Sequence, residues 1–268
     1  MFDSAAPAKT VDPGRIDGVP ADSAASVDVE RLGRQLLGTW ADIRAAARTF
    51  AANPQLHRVD GLTLEEQRER TMRQLALLAE HGAVKRAFPT EFGGQGDNGG
   101  NITSFEELVS ADPSLQIKAG VHWGLFGSAV LQLGTRYHHE KFLPGIIDLT
   151  VPGAFAMTEI GHGSDVASIA TTATYDPGAR EFVINTPFRA AWKEFIGNAA
   201  VHGTAAVVFA QLISQGVNHG VHALYVPIRG DDGEFLPGID GTDDGLKGGL
   251  NGVDNGRLRF DHVRVPRT

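Results

Sequence analysis

The chain has 268 residues, of which 42% are hydrophobic, and it has no cysteine and a formal net charge of −8. On a prior of roughly 150 residues per domain, this length predicts two domains. The lack of cysteine excludes disulfides, thiolate catalysis and Cys-ligated metal centres. Basic residues are scattered singly, which argues against a nucleic-acid partner. No apolar run approaches the length of a membrane span, and we expect a cytoplasmic protein.

The N-terminal part of the sequence predicts a tail and two helices. Residues 1–27 are acidic and rich in Ala, Pro and Ser, which is typical of a disordered tail and not of a signal peptide. From Val27 to Phe50, apolar residues recur every three or four positions and predict one amphipathic helix. A second helix is predicted from Thr63, which forms a capping box with Glu66, to Gly82.

Helical patterns continue to about residue 150. Ser104 with Glu107 repeats the start signal of a capping box. A long apolar stretch follows and is broken at Gly134, after which His138 to Ile147 has helical spacing. Residues 28–150 are therefore predicted to form a helical domain.

The pattern changes to strands near residue 151. Thr171–Tyr175 and Glu181–Asn185 are β-branched or aromatic runs around a turn, and they predict a hairpin. Further strands are predicted at Ala205–Ile213, His222–Ile228 and Leu258–Val265. The fold class is α+β, with an antiparallel, β-barrel-like domain over residues 151–268.

Several common catalytic motifs are missing. Gly161–Ser164 begins like a dinucleotide-binding loop, but Val166 stands at the third glycine position and no βαβ unit surrounds it. The chain also lacks a Walker lysine and a Gly-x-Ser-x-Gly elbow. We therefore reject Rossmann, P-loop and α/β-hydrolase chemistry.

One segment points to a specific family. Phe155–Asp165 resembles the flavin-binding signature of the acyl-CoA dehydrogenase and acyl-CoA oxidase superfamily, and its Gly-His-Gly form is similar to the oxidase branch. Other similar segments are Pro89–Gly94, Gly134–His139, Ala210–Ile213, Val226–Arg229, Asp254–Gly256 and Val265–Arg267. The resemblance covers nearly everything after the tail.

The resemblance implies FAD as cofactor and acyl-CoA as substrate. It assigns flavin contacts to Met157 and Thr158 and an acyl-CoA contact to Ser164. Lys193–Asn198 is similar to a second flavin-contacting segment and assigns that role to Phe195 and Gly197. Phe195 departs from the tryptophan usual at this position, but its ring can still stack.

The resemblance implies 2,3-desaturation of an acyl-CoA, with electrons passed to oxygen. It places no catalytic residue in this chain: the base is expected in a C-terminal helical domain beyond Thr268, supplied within a homo- or hetero-oligomer. Glu159 is expected to be an anchoring carboxylate. Two alternatives stay open, a dehydrogenase that uses an electron-transferring flavoprotein, and a non-catalytic flavin- or acyl-CoA-binding subunit.

Overall fold

The computed structural model describes residues 27–267. The predicted disordered tail therefore lies, except for Val27, outside the described residues. The chain divides into two compact units, Met1–Ala41 and Asp42–Thr268.

The first unit contains helix α1, Val29–Leu37. Asp28 caps it by accepting a hydrogen bond from the Arg31 backbone N–H at 2.9 Å. The helix ends at Gly38, which has φ of 68° and is followed by a 3₁₀ turn. The expectation of one unbroken helix from Val27 to Phe50 is wrong, because glycine at a positive φ terminates a helix without steric cost.

The remaining helices form a bundle. They are α2 (Ala41–Ala51), α3 (Leu64–His81), α4 (Asn98–Glu107), α5 (Pro113–Ala119), α6 (Ser128–Leu133) and α7 (Arg136–Ile147), and a π-helical segment, Gly120–Gly127, joins α5 to α6. None of the helices described over residues 27–267 is both long and apolar enough to cross a bilayer.

Two predicted helix starts had different outcomes. The capping box of α3 is confirmed: Thr63 accepts from the Glu66 N–H at 3.2 Å, and Glu66 accepts from the Thr63 N–H at 2.8 Å. The start predicted at Ser104 is wrong, because Ser104 lies inside α4. That helix is instead capped by Asp97, which accepts from the Gly100 N–H at 2.9 Å.

Nine strands form two sheets. They are β1 (Gly153–Ala156), β2 (Thr172–Asp176), β3 (Glu181–Asn185), β4 (Lys193–Ile196), β5 (Ala205–Ser214), β6 (Val217–Pro227), β7 (Ile239–Asp243), β8 (Gly256–Phe260) and β9 (Val263–Pro266) within the described part of the chain. The larger sheet has the order β1-β5-β2-β3-β9. Strands β1 and β2 pair with successive parts of β5, and β6 pairs with β5 along its opposite edge. The smaller sheet is β4-β8-β7.

The α+β class and the order of helices before strands are confirmed, as is the β2–β3 hairpin. The expectation of purely antiparallel pairing is wrong, since β1 and β2 both run parallel to β5. Long connections separate these partners, and parallel pairing needs such crossovers. The predicted strand over Leu258–Val265 is two strands, β8 and β9, separated by a turn with His262 at φ of 53°.

Strand β5 joins the two hydrophobic cores. Val207 and Phe209 pack into the core formed with the helices, whereas Ala206 and Val208 pack into the core between the two sheets. This follows from the two-residue period of a strand, which sends alternate side chains to opposite faces. Because the helical core contains residues of both halves, the domain boundary placed at residue 150 stays a prediction.

Candidate functional site

Strand β4 lies beside the segment that follows β1. The Thr158 carbonyl accepts a hydrogen bond from the Glu194 N–H at 3.0 Å, and the Ile160 N–H donates to the Trp192 carbonyl at 3.0 Å. These two backbone bonds bring together the two segments that the sequence analysis singled out.

A groove of about 420 Å³ opens where these segments meet α5 and the π-helical segment. Its lining includes Thr158, Phe195 and Gly197, three of the predicted site residues. The other lining residues are Phe155 and Ile196 from the strands, Ile117, Val121 and Leu125 from the helical side, and Lys247, Gly249, Leu250, Val253 and Asn255 from the glycine-rich loop that joins β7 to β8. One wall is therefore apolar and helical, and the opposite wall belongs to the β domain.

Thr158 is exposed and contributes unpaired donors to the groove wall. Neither its hydroxyl nor its N–H donates a hydrogen bond to any residue between 27 and 267; only its carbonyl is paired. Donors left free on a concave surface are suited to an acceptor on a ligand.

Phe195 presents its ring to solvent, with 58% of the residue exposed, and has φ of 60°. Its carbonyl accepts from Asn255 Nδ2 at 3.0 Å, and Asn255 Oδ1 accepts from Lys247 Nζ at 2.5 Å. A non-glycine residue in the left-handed region is uncommon, so these contacts hold an unfavourable backbone in place.

Gly197 lines the groove close to its helical wall. A Cβ atom at this position would come within 2.9 Å of Val121 Cγ2 on the helical wall. Only glycine leaves the full width of the groove here.

The other two predicted site residues do not line the groove. Met157 is half-buried and packs against the helical core, and its carbonyl accepts from Lys193 Nζ at 3.2 Å. Ser164 is exposed in the loop after the turn between Glu159 and His162. The fold thus brings Thr158, Phe195 and Gly197 together in the groove, whereas Met157 and Ser164 lie outside its lining.

Glu159 is buried beneath the site, and both oxygens of its carboxylate accept hydrogen bonds. Its carboxylate accepts from the Ala170 and Thr171 N–H groups at 2.8 and 3.0 Å and from the Thr171 hydroxyl at 2.6 Å. It also pairs with buried Lys193 at 3.0 Å. Burial opposes ionisation, but the Lys193 charge and these hydrogen bonds hold the pKa of Glu159 below its usual value.

Lys193 ties this site to β5. Besides Glu159, its ammonium donates to the Phe209 carbonyl at 2.7 Å. Burial lowers the pKa of Lys193 to about 8, and the charge of Glu159 opposes that shift. The pair thus anchors the segment that carries Thr158, in keeping with the structural role expected for Glu159.

A second buried pair, which the sequence analysis did not identify, joins α5 to the β domain. Lys118 is fully buried and donates to Asp254 and, at 2.7 Å, to Asn198 Oδ1. Asn198 in turn donates to the Gly153 carbonyl at 2.8 Å. Burial lowers the pKa of Lys118, and despite burial the nearby Lys118 and His202 hold the pKa of Asp254 far below its usual value.

Two carboxylates lie beside Thr158, Glu159 next to it in the sequence and Glu194 on β4. Neither of them is free to remove a proton. Glu159 is held as described above. Glu194 forms an ion pair with Arg257 Nε. A general base must reach the proton that it abstracts, so the geometry favours neither residue for that role.

Two family comparisons cover most of the chain. Residues 40–150 match the acyl-CoA dehydrogenase N-terminal domain, and residues 154–263 match the acyl-CoA dehydrogenase middle domain. The chain belongs to the acyl-CoA dehydrogenase and oxidase superfamily. The resemblance stated from the sequence is thereby confirmed.

Its relatives are acyl-CoA oxidases. It is 49% identical over 205 residues to a protein named acyl-coenzyme A oxidase 3, peroxisomal, from Arabidopsis thaliana, covering 76% of this chain and 30% of that protein. It is 48% identical over 162 residues to an acyl-coenzyme A oxidase-like protein from Mus musculus, covering 60% and 26%.

Solved structures agree. Acyl-CoA oxidase 1 from Yarrowia lipolytica superposes with a TM-score of 0.77 at 29% identity, over 87% of this chain and 34% of that one. Acyl-CoA oxidase 1 from Caenorhabditis elegans, solved with FAD and ATP, superposes with a TM-score of 0.71 at 30% identity, over 88% and 35%. The chain spans about a third of the length of the relatives it matches.

Proposed function

We propose that the groove binds the isoalloxazine ring of FAD. Three features of the groove fit a flat, largely apolar ring with acceptors at one end: the free donors of Thr158, the exposed ring of Phe195, and the width preserved by Gly197. The observation that carries the proposal is that Thr158 has two unpaired donors on the same groove wall as Phe195.

The residues of the groove would act on the bound ring in two ways. FAD, when bound, supplies a two-electron acceptor that takes hydride. The hydroxyl and N–H of Thr158 would donate to the ring end where negative charge gathers, and fixed donors stabilise such charge. The ring of Phe195 would exclude water by stacking. Met157, which precedes Thr158, and exposed Ser164 do not line the groove, and we propose them as further contacts of the flavin and of the acyl-CoA, respectively.

The reaction we propose is 2,3-desaturation of an acyl-CoA thioester with oxygen as electron acceptor, as part of an acyl-CoA oxidase-like enzyme. Support comes from the relatives named above, an acyl-coenzyme A oxidase and an acyl-coenzyme A oxidase-like protein, which are 49% and 48% identical to the matched parts of this chain. We assign no catalytic base among residues 27–267. Glu159 and Glu194, the carboxylates of the two segments that resemble flavin-contacting segments, are both held in ion pairs.

Titration with FAD tests the groove directly. We expect saturable quenching of FAD fluorescence by the chain, and a further change in the flavin spectrum on adding an acyl-CoA but not free CoA. Gly197→Val should weaken FAD binding by narrowing the groove, whereas Gly33→Val, in α1 and with nothing within 4 Å of its Cβ, should not. Equal FAD affinity of both variants would contradict the assignment. Peroxide formation by the loaded enzyme would separate oxygen from a flavoprotein acceptor.

Assembly and compartment stay proposals as well. A homo- or hetero-oligomer is tested by light scattering of the purified chain. The cytoplasmic location expected from the sequence contrasts with the word peroxisomal in the names of several Arabidopsis relatives. A fluorescent fusion expressed in the native cell distinguishes the two compartments.

A further inference from the structure

A second cavity lies inside the helical bundle. It has a volume of about 200 Å³, is formed by α2, α3, α4 and the π-helical segment, and shares no lining residue with the groove described above. Its walls are mostly apolar and include Ile43, Phe50, Phe105 and Trp123. An apolar cavity of about 150 Å³ already suffices to bind benzene, so this one can hold a sizeable apolar group.

Small residues create this space. Ala47, Ala87, Gly120 and Gly124 all line it, at positions where larger side chains would close the gap between the helices. Protein interiors are normally packed without voids larger than a water molecule. Atoms that line a void lose dispersion contacts, and a ligand would restore them.

The polar groups that line the cavity are one guanidinium and several neutral side chains. Arg86 lines it and forms no ion pair or side-chain hydrogen bond with any residue between 27 and 267. Ser104 Oγ is buried without a hydrogen-bond partner among the same residues. Among residues 27–267 no Asp or Glu lines the cavity, although the chain carries a net charge of −8. Burial, aided by Arg86, lowers the pKa of neighbouring His81, so Arg86 supplies the cationic charge.

We propose that this cavity binds an amphipathic anion, an alkyl chain that ends in a carboxylate. The chain would lie between Phe50, Phe105 and Trp123, and the carboxylate would pair with the guanidinium of Arg86. Arginine presents a fork of N–H donors that matches a carboxylate, and an otherwise unpaired guanidinium beside an apolar cavity complements such a molecule. Nothing in this inference depends on the flavin groove.

The probe is decanoate with a bromine at its far end, because bromine quenches the fluorescence of a tryptophan that it touches. Of the three tryptophans in the chain, Trp123 lines the cavity. We expect saturable quenching in the 268-residue chain and loss of that quenching in Trp123→Phe. Absence of saturable quenching in the parent chain overturns the proposal.

Filling the cavity locates the site. The Cβ of a side chain at Gly124 would meet nothing within 4 Å, so Gly124→Leu can extend into the space without a clash. We expect it to weaken binding by at least about tenfold, as one lost apolar group of this size should. Ala47→Leu fills from the α2 side and serves if the first variant folds poorly. Gly33→Leu, in α1, is the matched control, since its Cβ also meets nothing.

Changing the charge identifies the ligand class. Arg86→Gln should weaken the bromodecanoate by about tenfold, the loss expected for a charge-assisted hydrogen bond. The same variant should bind the uncharged bromodecanol as the parent does. Equal binding of acid and alcohol by the parent overturns the proposal. The proposal is also overturned if Phe195→Ala weakens binding of bromodecanoate while Gly124→Leu and Ala47→Leu do not, because the ligand then lies in the groove.

Discussion

Thr158 carries the donors on which the flavin assignment rests. We predict that Thr158→Val, which keeps the shape but deletes the hydroxyl, weakens FAD binding by up to about tenfold and lowers the flavin reduction potential. The reason is the loss of a hydrogen bond that is worth about 0.5–1.5 kcal/mol to the neutral oxidised ring and about 1.5–3 kcal/mol to the charged reduced ring. Fluorescence titration and redox titration measure the two effects.

A matched control separates the hydroxyl from threonine in general. Thr174 is exposed on β2 and does not line the groove, so Thr174→Val should leave FAD binding unchanged. Identical affinities and potentials in Thr158→Val and the parent would show that Thr158 does not touch the flavin.

Phe195 tests the stacking role. Since the residue is 58% exposed, Phe195→Ala should leave the melting temperature nearly unchanged while it reduces FAD retention. Phe188 is 55% exposed and lies outside the groove, so Phe188→Ala should affect neither. A Phe195→Ala variant that melts at lower temperature but binds FAD normally would instead mark an ordinary packing residue.

The sequence predicts site residues that stand in short contiguous segments, and it misses pairs of residues that only the fold brings together. Thr158, Phe195 and Gly197 stand in short segments that resemble a family signature, and the structure brings these three together. Lys118 and Asp254 lie 136 positions apart and meet only because α5 packs on the β domain. No local sequence pattern predicts such a pair, although Asp254 lies in one of the segments that resemble those of the superfamily.

Among the elements, β4 and the segment after β1 depend on the buried pair Lys193–Glu159. We predict that Lys193→Met destabilises the chain by about 3–5 kcal/mol, since removing one partner of a buried ion pair leaves the other charge uncompensated. Urea unfolding measures the loss. Lys141→Met, on the exposed side of α7, should change stability by less than about 1 kcal/mol. Similar midpoints for both variants would show that the pair does not hold the site segment.

Element boundaries were predictable where a side chain marks them directly. Thr63 with Glu66 and Gly82 mark both ends of α3, and both ends are as predicted. Gly38 also ends a helix, but the apolar spacing continues past it and suggested one long helix. Asp97 precedes Asn98–Gly99–Gly100, a run typical of a turn, so its capping role is visible only in the structure. The parallel partners of β5 likewise follow from tertiary packing.

For the molecule as a whole, His122 links the helical core to β1. Its Nε2 donates to the Ile146 carbonyl at 2.9 Å, and its Nδ1 accepts from the Gly153 N–H at 3.1 Å, which requires a neutral ring. Burial lowers the pKa of His122 to about 4. The unfolded chain therefore takes up this proton first as pH falls, and stability declines from about pH 6.5 to pH 4.

We predict that His122→Gln flattens this pH dependence. The parent should lose up to about 3 kcal/mol from this one group over that window, and the variant should lack that component while being less stable at pH 7. Urea unfolding at half-unit steps of pH measures both slopes. Parallel slopes in parent and variant would show that another group causes the decline.

We propose above all that the groove between the π-helical segment and β4 holds the flavin. The most direct measurement is the absorbance spectrum of the purified chain after incubation with FAD and removal of free FAD by gel filtration. We predict flavin absorbance that travels with the parent chain and with Phe188→Ala but is reduced in Phe195→Ala and Thr158→Val. Flavin retained equally by all four proteins, or by none of them, would show that the groove does not hold the flavin.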